Sequence, residues 1–323
     1  MLTAAKWFFQ GYKNYGKSAF EKRKSDYFND VDLEDPDIGK KTFVVTGANS
    51  GIGYATTLSL AKRGAGHVYM VCRNRERGEK ALHEIAFMSR NDNIHLVMCD
   101  LSLMEDCCRL VKYFTTKKIH IDVFIHNAGC LVLEKDLTVE NTERSFATNV
   151  LGPFIVTYLL IDYLRDQEQR TQQKPRIVFV SSGGMLTQKM QTDFQSERRV
   201  YDGVTAYAQT KRQMVYLCEL FSERYSDKIN FFVMHPGWST TPQLQRTMPT
   251  FNYITRNQQR NASQGCDTIV WLSLAPSIAV GSSGLFFEDR RPVPKYLKNS
   301  STEVPREVVN ELWSYLQKFL NKI

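Results

Sequence analysis

The run Thr46-Gly-Ala-Asn-Ser-Gly-Ile-Gly53 constrains this chain more than any other stretch. It follows the apolar residues Phe43, Val44 and Val45 and opens a helical pattern that begins near Tyr54. A strand, a glycine turn and a helix N-terminus in that order form a cradle for a pyrophosphate. Gly47, Gly51 and Gly53 lack a Cβ, so the backbone can turn tightly, approach a ligand and let the helix pack close to the strand. The unpaired N–H groups at the helix start, among Asn49, Ser50 and Ile52, then face the anion. A plain tight turn spells the same letters. What separates the two is position, because this run sits between a buried-strand signature and the first helix of a βαβ unit.

From Lys41 onward strand and helix patterns alternate, as a parallel sheet covered on both faces requires. Apolar strand candidates are 42–46, 67–72, 94–99, 121–126, 176–181, 230–235 and 284–287, and the clearest helices are 54–63, 75–89, 103–117, 140–165 and 205–225. The fold class expected is therefore α/β, a doubly wound Rossmann-type parallel sheet of about seven strands with helices on both faces. With 323 residues and 42% hydrophobic content the chain can bury one sizeable core. The expected organisation is an N-terminal amphipathic helix and acidic linker (1–40), the dinucleotide-binding domain (41–295) and a C-terminal helical extension (296–323). Val308, Leu312, Tyr315, Leu316, Phe319 and Leu320 fall at helical spacing in 303–323, which predicts a terminal helix packed on the domain.

A net charge of +8 raises the question of nucleic acid, but no zinc-finger spacing, RNP-type aromatic motif or basic recognition helix accompanies it. The charge reads instead as a bias toward anionic ligands or surfaces. The seven cysteines, at 72, 99, 107, 108, 130, 218 and 266, leave one unpaired and show no CxxC, so neither a disulfide framework nor a metal site is supported. An intracellular, cytoplasmic and reducing setting follows. The sequons at Asn261 and Asn299 are read as unused, since nothing in the sequence directs the chain to the secretory lumen.

Residues 1–20 set Leu2, Ala5, Phe8, Phe9, Tyr12, Tyr15 and Ala19 opposite Lys6, Gln10, Lys13, Asn14 and Lys17. The stretch is too short and too charged to span a bilayer. Two readings stand side by side: residues 1–24 lie on a membrane surface as a peripheral contact, or the helix packs on its own domain. Gly11 and Gly16 weaken it as an isolated helix. The acidic run from Asp26 to Asp37, with Pro36 and Gly39, reads as a linker.

After the second strand come Cys72, Arg73 and Asn74, where a site selective for NAD would present a carboxylate to the ribose 2′-hydroxyl. Arg73 can pair with the 2′-phosphate of NADP(H) instead, so NADP(H) is expected over NAD(H). The third strand ends in Asp100 and Leu101 and the fourth in Asn127, Ala128 and Gly129, both at the edge where ligands of such sheets bind. Tyr207 and Lys211 stand four residues apart, on one face of a helix. An ammonium and a cationic nicotinamide ring would lower the phenol's pKa from about 10, fitting Tyr207 to exchange a proton with a carbonyl oxygen. Ser182 could hold that oxygen, with Ser181 as an adjacent rival.

Taken in order, Thr46-Gly47-x-x-x-Gly51-x-Gly53, Asp100, Asn127-Ala128-Gly129, Asn149, Ser182, Tyr207-x-x-x-Lys211 and Pro236-Gly237 resemble the short-chain dehydrogenase/reductase family over roughly 41–290. The glycine spacing fits its compact branch. Residues 184–200, His235–Trp238 and Phe286–Pro292 narrow the likeness to one subgroup. The resemblance implies Tyr207 as the acid/base, Lys211 as its electrostatic partner and ribose contact, and Ser182 as the carbonyl-orienting hydroxyl. It implies Asn149 as holder of a relay water, Asp100 at the adenine, Asn127 on the adenosine side, and Pro236, Gly237 and Thr241 bordering the nicotinamide. His126 stands where the family usually writes a second asparagine.

Residues 238–262 fall where the family carries its substrate lid. Trp238, Leu244, Met248, Phe251, Tyr253 and Ile254, flanked by Arg246, Arg256 and Arg260, suggest a lipophilic partner, or a lid that only packs on its own domain. The reading is an oxidoreductase moving a hydride between NADP(H) and a small carbonyl or alcohol. The alternative is a non-enzymatic NADP(H)-binding scaffold or redox sensor. Oligomeric state is left open, and a homo-oligomer is compatible with everything above.

Overall fold

The computed structural model describes residues 2–198, 200–276, 278 and 281–323. Eight strands form one sheet: β1 (Thr42–Thr46), β2 (His67–Cys72), β3 (Ile94–Met98), β4 (Val123–His126), β5 (Arg176–Val180), β6 (Asn230–Met234), β7 (Phe286–Glu288) and β8 (Arg291–Pro292). Their order is β3-β2-β1-β4-β5-β6-β7-β8, parallel except for the closing β7–β8 pair. The expected count of about seven holds for the parallel strands, and β8 adds a two-residue antiparallel edge. Because strand order reverses between β1 and β4, the loops at their carboxyl ends part and leave a crevice.

Helices α1 (Leu2–Asn14), α2 (Lys17–Tyr27), α3 (Gly51–Lys62), α4 (Arg75–Ser89), α5 (Met104–Thr116), the single turn α6 (Arg144–Phe146), α7 (Gly152–Thr171), α8 (Gly203–Tyr225), α9 (Pro242–Thr247), α10 (Pro249–Thr255), α11 (Ala262–Leu274) and α12 (Arg306–Leu320) surround the sheet. Alternation along each strand sends side chains to two cores. In β1, Val44 joins Phe124, Phe179 and helices α5, α7, α8 and α12 on one face. Phe43 and Val45 join Ile125, Phe232 and helices α3, α4 and α11 on the other. The terminal helix packs as its spacing predicts: Trp313 sits 5.5 Å from Phe154 and 5.2 Å from Phe221, ring centre to ring centre.

Two local readings change. The helix expected over 140–165 starts later, where the Glu143 carboxylate accepts from Ser145 N and Phe146 N. A π-turn at Ala147–Leu151 then interrupts it before α7. Its apolar content would suffice to cross a membrane, yet 72% of the apolar window is buried in the fold.

The N-terminal stretch forms two helices, broken at an extended Gly16. Its glycines serve close packing. A Cβ at Gly11 would collide with the Trp238 indole, and one at Gly16 would stand 2.9 Å from the Gln258 carbonyl. The stretch read as a linker is also folded, because Leu33 and Ile38 enter the core. Its acids meet partners from distant sequence: Asp35 pairs with Lys41 at 2.5 Å, and Asp32 accepts from Trp271 Nε1 at 3.1 Å. Local composition could not show those partners.

Candidate active site

The glycine loop forms as its letters require. Gly47 and Gly51 take φ of +65° and +55°, which favours glycine, and a Cβ on Gly53 would collide with the Gly47 carbonyl. α3 begins at Gly51, three residues earlier than its apolar pattern suggests, and Ser50 makes no side-chain cap. The first-turn N–H groups of α3 therefore line the crevice without intrahelical partners. Asn127 braces this loop from β4: its Nδ2 donates to Thr46 O at 2.8 Å, while Thr46 Oγ1 accepts from Asn127 N at 3.0 Å and Ala128 N at 2.9 Å. These features fit a dinucleotide diphosphate.

At the far end of the crevice, Arg73 lies exposed, 3.8 Å from the Asp100 carboxylate. Asp100 Oδ1 accepts from Ser102 N at 3.0 Å and Ser102 Oγ at 2.8 Å, which fixes its direction. Asn74 caps α4 through Arg77 N at 2.9 Å. Arg77 also lines the crevice, a second cation that motif reading missed although it stands one turn after Arg73.

A cavity of about 1090 Å³ is lined by Gly47, Asn49, Ser50, Gly51, Ile52, Gly53, Arg73, Asp100, Leu101, Asn127, Ala128, Gly129, Ser182, Tyr207, Lys211, Pro236, Gly237 and Thr241. It thus gathers every candidate cofactor residue and three of the four candidate catalytic residues. Thr241 caps α9 and holds its methyl 3.6 Å from where a Gly51 Cβ would stand. Gln243 reaches from α9 to the fourth-strand loop, where its amide, turned so that nitrogen meets carbonyl and oxygen meets N–H, can donate to Gly129 O at 2.9 Å and accept from Leu131 N at 3.0 Å.

Asn149 stands behind this wall, fully buried in the π-turn. Its Nδ2 donates to Cys130 O and Thr210 Oγ1, both at 2.9 Å, and its Oδ1 accepts from Cys130 N at 2.8 Å. Both amide protons are committed, so the side chain clamps the β4 loop to α8. The two serines separate clearly. Both border the cavity, but Ser181 Oγ is buried and donates to Lys211 O at 2.8 Å, whereas Ser182 Oγ accepts from Gly184 N at 3.3 Å and lies beside Tyr207.

Lys211 Nζ lies 5.7 Å from the Tyr207 ring centre and donates to Val180 O at 2.9 Å. Burial pushes Lys211 down to about 8 and pushes the Tyr207 phenol up to about 12, with the Ser182 hydrogen bond pulling the other way. The expected lowering of the phenol by its ammonium neighbour does not appear with the protein's side chains alone, where desolvation opposes charge on both groups. The protein's own groups hold Tyr207 as a neutral acid. His126 is buried, with Nε2 2.9 Å from Thr157 Oγ1, and burial lowers it to about 3. It is a neutral core residue, stacked on Phe179 at 5.0 Å.

The lid divides. Trp238, Leu244, Met248 and Phe251 line the cavity, whereas Tyr253 and Ile254 face outward. Arg256 covers the Tyr253 ring at 4.5 Å. Arg260 does not flank the lid: it is buried in a two-pronged pair with Asp289, at 2.5 and 2.9 Å.

A family model described as short chain dehydrogenase matches residues 41–250. The chain is 42% identical to "Dehydrogenase/reductase SDR family member 12" of Bos taurus, over 98% of each chain, which is the subgroup the narrower motifs pointed to. It is 33% identical to human "Polyprenol dehydrogenase", over 84% of this chain and 82% of that protein. Among solved structures, a short-chain type dehydrogenase/reductase from Mycobacterium marinum aligns with a TM-score of 0.63 at 20% identity, covering 80% of this chain and 96% of that one.

Proposed function

Since the chain belongs to the short-chain dehydrogenase/reductase family and has an oxidoreductase fold, we propose that it reduces the carbonyl of a small lipophilic compound with NADPH, or runs the reverse reaction. The observation that carries this is the convergence of Ser182, Tyr207 and Lys211 on the cavity that the glycine loop opens.

NADP(H) would lie along Gly47–Gly53, Asp100 and Asn127–Gly129, with Arg73 and Arg77 near its 2′-phosphate and Pro236, Gly237 and Thr241 at the nicotinamide. When bound it supplies or accepts the hydride. The chain supplies the rest. Ser182 orients the carbonyl oxygen, and Tyr207 gives that oxygen its phenolic proton. Held near 12, the phenol is protonated at neutral pH, the form that reduction needs. Lys211, anchored on Val180 O, carries a charge below about 8 that favours the phenolate left behind.

The lipophilic preference draws on the aromatic lid wall and on a relative whose name specifies polyprenol. All seven cysteines are free, which supports a reducing, cytoplasmic setting. A peripheral membrane contact rests on Phe9 and Tyr12, exposed on α1 between Lys6 and Lys13.

Fluorescence titration of NADPH and NADH tests the cofactor assignment. NADPH should bind more tightly, and Arg73→Ala should weaken it by roughly tenfold while leaving NADH unchanged. Tighter NADH binding, with both cofactors indifferent to Arg73→Ala, contradicts it.

A further inference from the structure

The acceptor end of the cavity is closed by a part of the chain outside the 41–250 family match. Thr3, Ala4, Trp7 and Phe8, spaced to share one face of α1, line the same cavity as Ser182 and Tyr207. Trp7 Nε1 stands 3.6 Å from where a Cβ on Gly183 would be, one residue beyond the carbonyl-orienting serine. From there four rings run on together. Trp7 stacks on Phe251 with centres 6.1 Å apart, Trp7 and Phe8 lie 5.8 and 5.5 Å from Trp238, and Trp238 meets Phe251 edge-on at 5.2 Å.

α1 is fixed to the catalytic fold. Trp238 N donates to Tyr15 O at 2.8 Å. Arg260 donates to the carbonyls of Asn14 and Gly16, both at 3.3 Å, and so caps the C-terminal end of α1 while Asp289 holds it from behind. Arg23 on α2 pairs with Glu288, the last residue of β7, and with Asp289 just after it. A helix tied at its C-terminal end by buried charge, with an aromatic face toward the reacting groups, has the makings of a rigid binding wall.

We propose that α1 is the outer wall of the acceptor site and that Trp7 and Phe8 set its preference for carbonyl compounds carrying long apolar tails. The inference rests on the carbonyl-reductase reading and adds to it that selectivity comes from the N-terminal helix. Each methylene buried along the four rings should raise kcat/KM, by up to about fourfold.

The test is NADPH oxidation by the full chain with butanal, hexanal, octanal and decanal, in wild type, Trp7→Leu, Phe8→Ala, Phe8→Leu and Phe9→Ala. The expected result is a kcat/KM that climbs with length in wild type, mostly through KM. Phe8→Ala and Trp7→Leu should flatten that climb, lowering kcat/KM for decanal several-fold more than for butanal while NADPH binding is retained. Phe8→Leu should restore much of it, and the exposed Phe9→Ala should match wild type. Flattening by Phe9→Ala as well, or butanal turnover falling as far as decanal turnover, would show general loosening of the helix and overturn the proposal. An unchanged climb in the Trp7 and Phe8 variants overturns it while the reductase reading stands. Absence of turnover with every aldehyde in wild type that binds NADPH removes both.

Discussion

The two ends of the cavity are built on different principles. The cofactor end is made of backbone: glycines with positive φ, unpaired helix N–H groups, and the Asn127 brace on Thr46. Its shape follows from where side chains are missing. The acceptor end is made of side chains from α1, the turn after β5 and the segment after β6, brought together by aromatic packing and by the buried Arg260–Asp289 pair. A backbone cradle suits a ligand that does not vary, whereas a side-chain wall can be altered one residue at a time.

Breaking the acceptor end at its anchor should have the largest effect. Arg260→Ala leaves Asp289 buried and short of its main partner, and is expected to cost about 3–5 kcal/mol of stability by denaturant unfolding. Surviving folded protein should still bind NADPH.

Gly53→Ala strikes the other end. The added methyl meets the Gly47 carbonyl and the Asn127 amide, so NADPH affinity should fall by about 10-fold to 100-fold in a titration. The tryptophan fluorescence of the α1–lid cluster should stay as in wild type.

A smaller effect sharpens the boundary between the two. Folding holds His126 near 3 against an unfolded value near 6.5, so the unfolded chain binds the extra proton between those values. Stability is lost as pH falls through that window. The expected loss is about 1–2 kcal/mol from pH 7 to pH 5, and His126→Asn should flatten it in urea titrations if the strand end is a passive spacer. Smallest of all, Phe9→Ala should shift stability by no more than about 0.5 kcal/mol, because the ring faces away from the wall that Trp7 and Phe8 form.

The same contrast explains what could be read from the sequence. Gly47, Gly51 and Gly53 announce their conformation in their own chemistry, and the strand and helix periods around them place the crevice. Tyr207 and Lys211 stand four residues apart on one helix, but it was the family resemblance, not spacing, that joined Ser182 to them and made their convergence legible. Trp7 and Phe8 looked like any amphipathic face, since what they meet lies some 230 to 240 residues away at Trp238 and Phe251. Arg260 read as a lid charge, and only its burial against Asp289 reveals an anchor. The pKa order of Tyr207 and Lys211 was hidden as well, because desolvation depends on enclosure that no spacing encodes.

The most direct test of the central claim is single-turnover NADPH oxidation with a saturating aldehyde that wild type reduces, comparing wild type with Tyr207→Phe at equal cofactor occupancy. The expected result is unchanged NADPH binding and a rate lowered by about 10²-fold to 10⁴-fold, the usual share of a positioned proton donor. A Tyr207→Phe rate within a few-fold of wild type would contradict the assignment and place the proton source elsewhere in the cavity.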